Sequence, residues 1–158
     1  MAVEVEFHTG VADPVHFACR LLRKAMRRGA RLICTAPQAT LDELDRALWT
    51  FEERDFVPHV RLAHATPALA ARTPIWLDTQ AGATAEGRVL VNLGADAPTA
   101  PQHFSRIIEL VGADAPSAQA GRARWRDYRT QGLEIRPHAA APEESAGHPH
   151  PDGAGDRR

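Results

Sequence analysis

The sequence predicts an α/β sandwich with a mainly parallel sheet. Segments of strand pattern alternate along the chain with segments of helical pattern, and alternation of this kind is typical of α/β folds. The chain has 158 residues, of which 44% are hydrophobic, which is enough to form the core of one domain of ordinary size. We therefore expect a single α/β domain.

The first half of the chain has the pattern βαβα. Residues 3–7, VEVEF, alternate apolar and acidic side chains with a period of two, which predicts a strand. A helix is predicted next, because Asp13 can cap its start and Gly29 can end it. Residues 31–36, RLICTA, predict a second strand, and leucines at helical spacing predict a second helix over residues 40–51.

The second half has weaker patterns. An irregular, alanine-rich stretch runs to Arg72, and two apolar segments, 74–79 and 88–94, then predict strands. Residues 101–112, PQHFSRIIELVG, predict a helix with its apolar residues on one side. A further helix is predicted to start at DAPS and to contain residues 121–132, and the segment LEIRP that follows predicts a short last strand.

The C-terminal segment differs in composition from the rest. From His138 onward it has no large apolar residue and is rich in Ala, Pro and Gly, so we expect a folded domain over residues 1–137 and a disordered tail over 138–158. His148 and His150 lie two residues apart in this tail. Two histidines alone do not make a metal site, so no metal is expected there.

The overall charge and the cysteines restrict the function further. The formal net charge is −1, with 19 basic and 20 acidic side chains, so the chain as a whole has no attraction to DNA or to membranes. No apolar run reaches the length of a membrane span, and the first residues lack the pattern of a signal peptide, so we expect a cytoplasmic protein. Cys19 and Cys34 are expected to be reduced and buried.

Motifs for catalysis are missing from the sequence. It contains neither of the phosphate-binding patterns GxGxxG and GxxxxGK[ST], and neither the GxSxG nor the HExxH pattern. Histidines outside the tail are scattered among different predicted elements. We therefore predict no enzymatic activity, no cofactor and no metal.

Two segments carry concentrated positive charge. The first, residues 20–31, holds six basic residues at the end of a predicted helix, where cations interact favourably with the helix dipole. Since no aromatic side chains are interleaved for base stacking, a solvated face is favoured over a DNA-binding patch. The second segment is GRARWRDYRTQG, residues 121–132.

Helical spacing divides the side chains of this second segment into two groups. Four of them fall within about 100° of one another: Arg122, Trp125, Arg126 and Arg129. Arg124 and Tyr128 point elsewhere, and Arg124 is expected to be solvated. Arginines beside an indole suit an acidic peptide that ends in a large apolar residue. Alternatively, Trp125 packs into the core and the arginines form a solvated rim.

Three stretches of the sequence, in this order, resemble one known family. They are LDRALWTFEERDFVPH within residues 41–59, RVLVNLG at 88–94 and RARWRDYRTQGLEI at 122–135. The chain resembles the chi subunit of bacterial DNA polymerase III holoenzyme from the first strand to about Arg136. The resemblance implies a Rossmann-like three-layer sandwich without a phosphate-binding loop, and a non-catalytic adaptor of the clamp-loader complex.

The resemblance also implies two partners. One is the acidic C-terminal tail of single-stranded DNA-binding protein, and its site carries over to Arg122, Arg126, Trp125 and Val111. One basic position of the family pattern is occupied here by Ala118.

The second implied partner is the psi subunit of the clamp loader, or a helicase-like protein at the same surface. In this sequence, the surface corresponds to Trp49 and Phe56. The alternative role of these two residues is to pack the second helix against the following loop. Two alternatives to an adaptor stay open: direct binding of single-stranded nucleic acid by the basic helices, and a degenerate nucleotide enzyme.

Overall fold

Seven parallel strands form one sheet in a computed structural model, which describes residues 3–52, 54 and 56–139. In chain order the strands are β1 (Glu4–Val11), β2 (Leu32–Thr35), β3 (His59–Arg61), β4 (Ile75–Asp78), β5 (Val89–Asn92), β6 (Arg106–Gly112) and β7 (Ile135–Ala139). Their order across the sheet is β3-β4-β2-β5-β6-β1-β7, and all neighbouring pairs are parallel. The predicted α/β class is confirmed.

Four α-helices connect the strands of the described chain: α1 (Pro14–Arg27), α2 (Gln38–Thr50), α3 (Pro67–Arg72) and α4 (Ala115–Thr130). The start of α1 is as predicted, because the Asp13 side chain accepts a hydrogen bond from the His16 backbone N–H at 3.1 Å. Short 3₁₀ helices occur at Leu62–His64, Ala83–Ala85 and Pro101–His103.

The helices cover both faces of the sheet and give three layers. One core lies between the sheet and α1 with α2, and its buried residues include Leu22, Leu44 and Ile108. The other lies between the sheet and α3 with α4, and it includes Phe7 and Tyr128. The arrangement is that of a Rossmann-like sandwich. Both cysteines are buried, and burial raises the pKa of Cys19 to about 11.

The prediction of a helix over residues 101–112 is wrong. After a 3₁₀ turn, this segment forms β6, which lies between β5 and β1 near the middle of the sheet. Ile107 and Val111 belong to the core under α4, whereas Ile108 and Leu110 belong to the core under α1 and α2. A strand buried on both faces shows no alternation, so its apolar run has the same pattern as one face of a helix.

Two further segments differ from the prediction. The stretch described as irregular up to Arg72 contains β3 and α3, and Thr66 caps α3 by accepting from the Leu69 N–H at 3.2 Å. The last strand continues through Ala139, so His138 belongs to the sheet and not to the expected tail. Both tail histidines, His148 and His150, lie outside the described residues.

Candidate functional site

Helix α4 follows β6 directly and is held close to it at two positions. Asp114 caps the helix by accepting from the Ser117 backbone N–H at 3.0 Å, and hydrogen bonds from Ser117 lower the pKa of Asp114. Gly121 allows the close approach, because a Cβ atom there would lie 2.8 Å from Cγ1 of Val111. The helix therefore lies against the carboxyl-terminal half of β6.

The inner face of α4 carries a buried polar network centred on Glu109 of β6. Glu109 is fully buried, and its Oε1 accepts from the Tyr128 hydroxyl at 2.7 Å and from Nδ2 of Asn92 at 2.9 Å. Its Oε2 accepts from Nε of Arg124 at 2.9 Å. Burial raises the pKa of Glu109, against the opposite effect of Arg124, Tyr128 and Asn92.

The expectation that Arg124 is solvated is therefore wrong. Arg124 is 7% exposed and pairs with a buried carboxylate, because the otherwise apolar surface under α4 contains one charged residue of β6, Glu109. Helical spacing separated Arg124 from the other arginines correctly. Helical spacing alone could not show that the strand packed against α4, β6, carries a buried carboxylate.

The outer edge of α4 borders a cavity of about 290 Å³ against the ends of β1 and β6. Its lining includes Phe7, Val111, Ala118, Arg122 and Trp125. Trp125 is partly buried, and its ring meets the Phe7 ring edge-on at a centroid distance of 5.0 Å. Three of the four predicted residues for an acidic tail thus lie around one apolar cavity.

The fourth, Arg126, is exposed one turn further along α4 and does not line this cavity. Arg129 lines a neighbouring cavity, which Trp125 also borders. Packing of Trp125 and its placement beside a cavity are therefore compatible, because the indole contacts the Phe7 ring and also lines open space.

Trp49 and Phe56 form a second candidate surface, which we call the Trp49–Phe56 patch. Their exposed fractions are 59% and 66%, and their rings lie 5.5 Å apart between centroids. The Trp49 ring also contacts His59 at 4.8 Å, and Nε2 of His59 lies 2.9 Å from Oδ1 of Asp45. Packing between α2 and the following loop therefore does not explain why both rings are so exposed.

The two candidate surfaces lie on different parts of the sheet. The patch is next to β3, an edge strand, on the face that α2 covers, whereas α4 covers β6 on the other face. From β3 to β6 there are four strand spacings, or about 19 Å at about 4.8 Å each. One ligand at each surface is therefore sterically reasonable.

The basic segment of α1 has the contacts of a structural surface. The Arg20 guanidinium lies 5.7 Å from the centre of the Phe17 ring, and Arg31 donates to the backbone carbonyl of Ala71. Five of the six basic residues in segment 20–31 are exposed and Arg23 is partly buried, which agrees with the predicted solvated face.

A crevice of about 540 Å³ opens at the carboxyl end of the sheet, where β1 and β6 send their helices to opposite faces. Open α/β sheets bind ligands at such a point. Here Asp13 and Glu43 line the crevice and would repel an anionic phosphate, while Arg124, which also lines it, is already paired with Glu109.

One group of side chains could hold a metal ion, although no sequence pattern predicted it. Glu6 and His8 on β1 meet His138 on β7, and their ligand atoms all lie within 4.8 Å of one another. The residues are far apart in the chain, and only parallel pairing of the two strands brings them together. No local motif could have indicated them.

Comparison with known proteins identifies the family. Residues 2–136 match the family described as DNA polymerase III chi subunit, HolC. The chain belongs to this family. It is 36% identical over 131 residues to a DNA polymerase III subunit chi from Pseudomonas aeruginosa, covering 80% of this chain and 89% of the relative. It is also 31% identical over 120 residues to one from Haemophilus influenzae, covering 75% of this chain and 81% of the relative.

Chi proteins are accessory subunits of a replicative DNA polymerase, and their names indicate no catalytic role. The recognised resemblance is thus confirmed at the level of the family. Among the described residues, no helix has both the length and the apolarity that crossing a bilayer demands.

Proposed function

We propose that this chi-family protein is a non-catalytic, cytoplasmic replication adaptor of the DNA polymerase III clamp-loader complex. Its α4 cavity would bind the acidic C-terminal tail of single-stranded DNA-binding protein, and its Trp49–Phe56 patch would bind a psi-type subunit or a helicase-like protein. The observation that carries the proposal is the apolar cavity beside α4, with an arginine on its rim.

The cavity has the size and lining that a terminal aromatic residue needs. A cavity of about 150 Å³ can hold benzene, so about 290 Å³ leaves room for a phenylalanine side chain. Val111, Phe7 and Trp125 would contact the ring, and burying one phenylalanine contributes about 2 to 3 kcal/mol.

The arginines would supply the charge recognition. Arg122 lines the cavity, and Arg126 is exposed one turn away, so the two can meet successive carboxylates of an extended acidic peptide. Ala118 also lines the cavity, and with no cation at this position the tail has one fewer charge to pair with. A weak, salt-sensitive contact follows, since exposed charges are screened over about 8 Å at physiological ionic strength.

The test is a titration of the full chain with a short acidic peptide ending in Pro-Phe, followed by tryptophan fluorescence. Arg122→Ala and Arg126→Ala should each weaken binding about tenfold, which corresponds to about 1.4 kcal/mol. Arg46→Ala is the matched control, because Arg46 is an exposed arginine on α2, on the other face of the sheet. If the parent and all three variants bind the peptide with equal affinity, Arg122 and Arg126 are not part of the binding site.

The second partner is tested separately, by co-purification of a psi-type or helicase-like protein from extract of the native cell. Trp49→Ala and Phe56→Ala should abolish it, because aromatic anchors dominate the energy of protein interfaces. Leu69→Ala is the control, since Leu69 is 46% exposed on α3, under the opposite face of the sheet. Retention of the partner by both aromatic variants contradicts the assignment.

Direct binding of single-stranded nucleic acid is the alternative function. It predicts that the chain alone binds oligonucleotides with a steep dependence on salt. The contacts of Arg20 and Arg31 within the fold do not favour it.

A further inference from the structure

Strands β1 and β7 place one carboxylate and two imidazoles on the same side of the sheet. His8 and His138 are register partners in the parallel pair, and Glu6 precedes His8 by two residues, so it points to the same face. This face is the one that α1 covers, because the His8 ring contacts Phe17 of α1 at a centroid distance of 5.3 Å.

The spacing of the ligand atoms is close to that around a small metal ion. Nε2 of His8 lies 3.5 Å from Oε2 of Glu6, and the His8 and His138 rings are stacked at 4.8 Å between centroids. Ligands of four-coordinate zinc at about 2.0 to 2.1 Å lie about 3.3 Å from one another. His8 and Glu6 nearly meet this distance, and the exposed His138 side chain can rotate to meet it.

The atoms needed for coordination are also available. Nε2 of His8 is buried and has no hydrogen-bond partner within the part of the chain that the structure describes. At 3.5 Å, its approach to Glu6 is too long for a good hydrogen bond. Arg106 donates to Oε1 of Glu6 and leaves Oε2 facing His8.

The protonation of these groups suits metal binding. Burial is the largest influence on His8 and lowers its pKa, so the imidazole is neutral near pH 7. Burial acts to raise the pKa of Glu6, and the hydrogen bond and charge of Arg106 outweigh it, so the pKa is lowered and the group is a carboxylate. Neutral imidazole and carboxylate are the forms that bind metals.

We propose that Glu6, His8 and His138 bind one zinc-type divalent ion, which links the last strand, β7, to β1. Two nitrogen ligands and one oxygen ligand suit Zn²⁺ and its neighbours in the transition series, whereas Mg²⁺ and Ca²⁺ prefer oxygen alone. Arg106 would hold the carboxylate in place from its far side. The function of the ion is to fasten β7, an edge strand that is otherwise held only on one side.

The experiment is a titration of the full chain with Zn²⁺ against a chromogenic zinc indicator, together with thermal unfolding with and without Zn²⁺. It is made in the background His148→Ala/His150→Ala, which removes the two tail histidines. We expect one equivalent of Zn²⁺ and a rise in unfolding temperature, because a ligand of the folded state stabilises it.

His138→Ala is the decisive variant, because His138 is exposed and its replacement leaves the core intact. It should weaken Zn²⁺ binding at least about tenfold and remove the thermal shift, as expected on losing a ligand. Glu6→Gln should act in the same direction, and His103→Ala, an exposed histidine in a 3₁₀ turn, should change nothing. Unchanged binding by His138→Ala, or loss of all binding in the tail-substituted background, overturns the proposal.

Discussion

A single carboxylate, Glu109, organises the inner face of the last helix. It is fully buried and accepts three hydrogen bonds, from Asn92, Arg124 and Tyr128. Breaking a buried ion pair by removing one partner leaves an uncompensated charge, which costs far more than the pair contributes. The network therefore fixes the rotation of α4 about its axis, and with it the side on which Arg122 and Trp125 lie.

Arg124→Met should lower the free energy of unfolding by about 3 to 5 kcal/mol, because it leaves Glu109 buried without its cation. Urea denaturation measures the loss. Arg126→Met is the control, and at an exposed position it should stay within about 0.5 kcal/mol. A similar small effect at both positions would contradict the network.

Tyr128→Phe should cost less, about 1 to 2 kcal/mol, because Glu109 keeps its other two donors while one hydrogen bond is lost. The same denaturation experiment measures it, and the ring keeps its edge-on contact with Phe7. If the urea concentration at the midpoint of unfolding does not change, the Tyr128 hydroxyl does not stabilise the Glu109 carboxylate.

The helix α4 was predictable from sequence because its signals are local. Asp114 and Pro116 mark its start, and Gly132, with φ of 78°, follows its end. The strand β6 was not predictable in this way. Its run IIELV is buried on both faces, and only the tertiary arrangement distinguishes it from a helix.

The packing of α4 on β6 depends on Gly121. Alanine improves helix propensity by about 1 kcal/mol, but its Cβ would lie 2.8 and 2.9 Å from the two γ-carbons of Val111, which is branched and cannot rotate away easily. Overpacking of this kind costs about 1 to 3 kcal/mol. Gly121→Ala should therefore destabilise the protein, as measured by thermal unfolding, and addition of Val111→Ala should relieve the clash. A more stable Gly121→Ala variant contradicts this close contact.

The start of α4 should respond to acid. Because hydrogen bonds from Ser117 lower the pKa of Asp114, its contribution to stability is present above the ordinary pKa of about 4 and is lost as the pH falls through the lower value of the folded state. Asp114→Asn keeps a capping side chain that does not titrate. In urea denaturation, the free energy of unfolding of the Asp114→Asn variant should fall less between pH 6 and pH 3 than that of the parent. If the free energies of both proteins fall in parallel with pH, Asp114 does not have this role.

At the scale of the whole molecule, an α/β fold carries two candidate surfaces on opposite faces of one sheet. Alternation of strand and helix patterns was sufficient to predict the fold class, whereas the expectation of a protein-binding role came from the arginines beside Trp125 and from the resemblance to the chi family. The exposure of Trp49 was indicated only by the family resemblance, and the burial of Arg124 could not be predicted, because it depends on Glu109 of a neighbouring strand.

Separation of the surfaces predicts that they act independently. Trp49→Ala should leave the affinity for the acidic peptide within about twofold, since distant sites without shared contacts are additive. The fluorescence of the two remaining tryptophans, Trp76 and Trp125, reports the titration. A large change in affinity would mean that the patch and the α4 cavity are coupled.

The most direct test of the account is a double-mutant cycle between Arg122 and the acidic peptide. Arg122→Ala and an Asp→Asn change in the peptide are measured singly and together by fluorescence titration. If Arg122 pairs with that carboxylate, each single change weakens binding and the double change costs less than their sum, with a coupling of about 0.5 kcal/mol or more. Additive effects at every acidic position of the peptide would show that Arg122 does not recognise the tail.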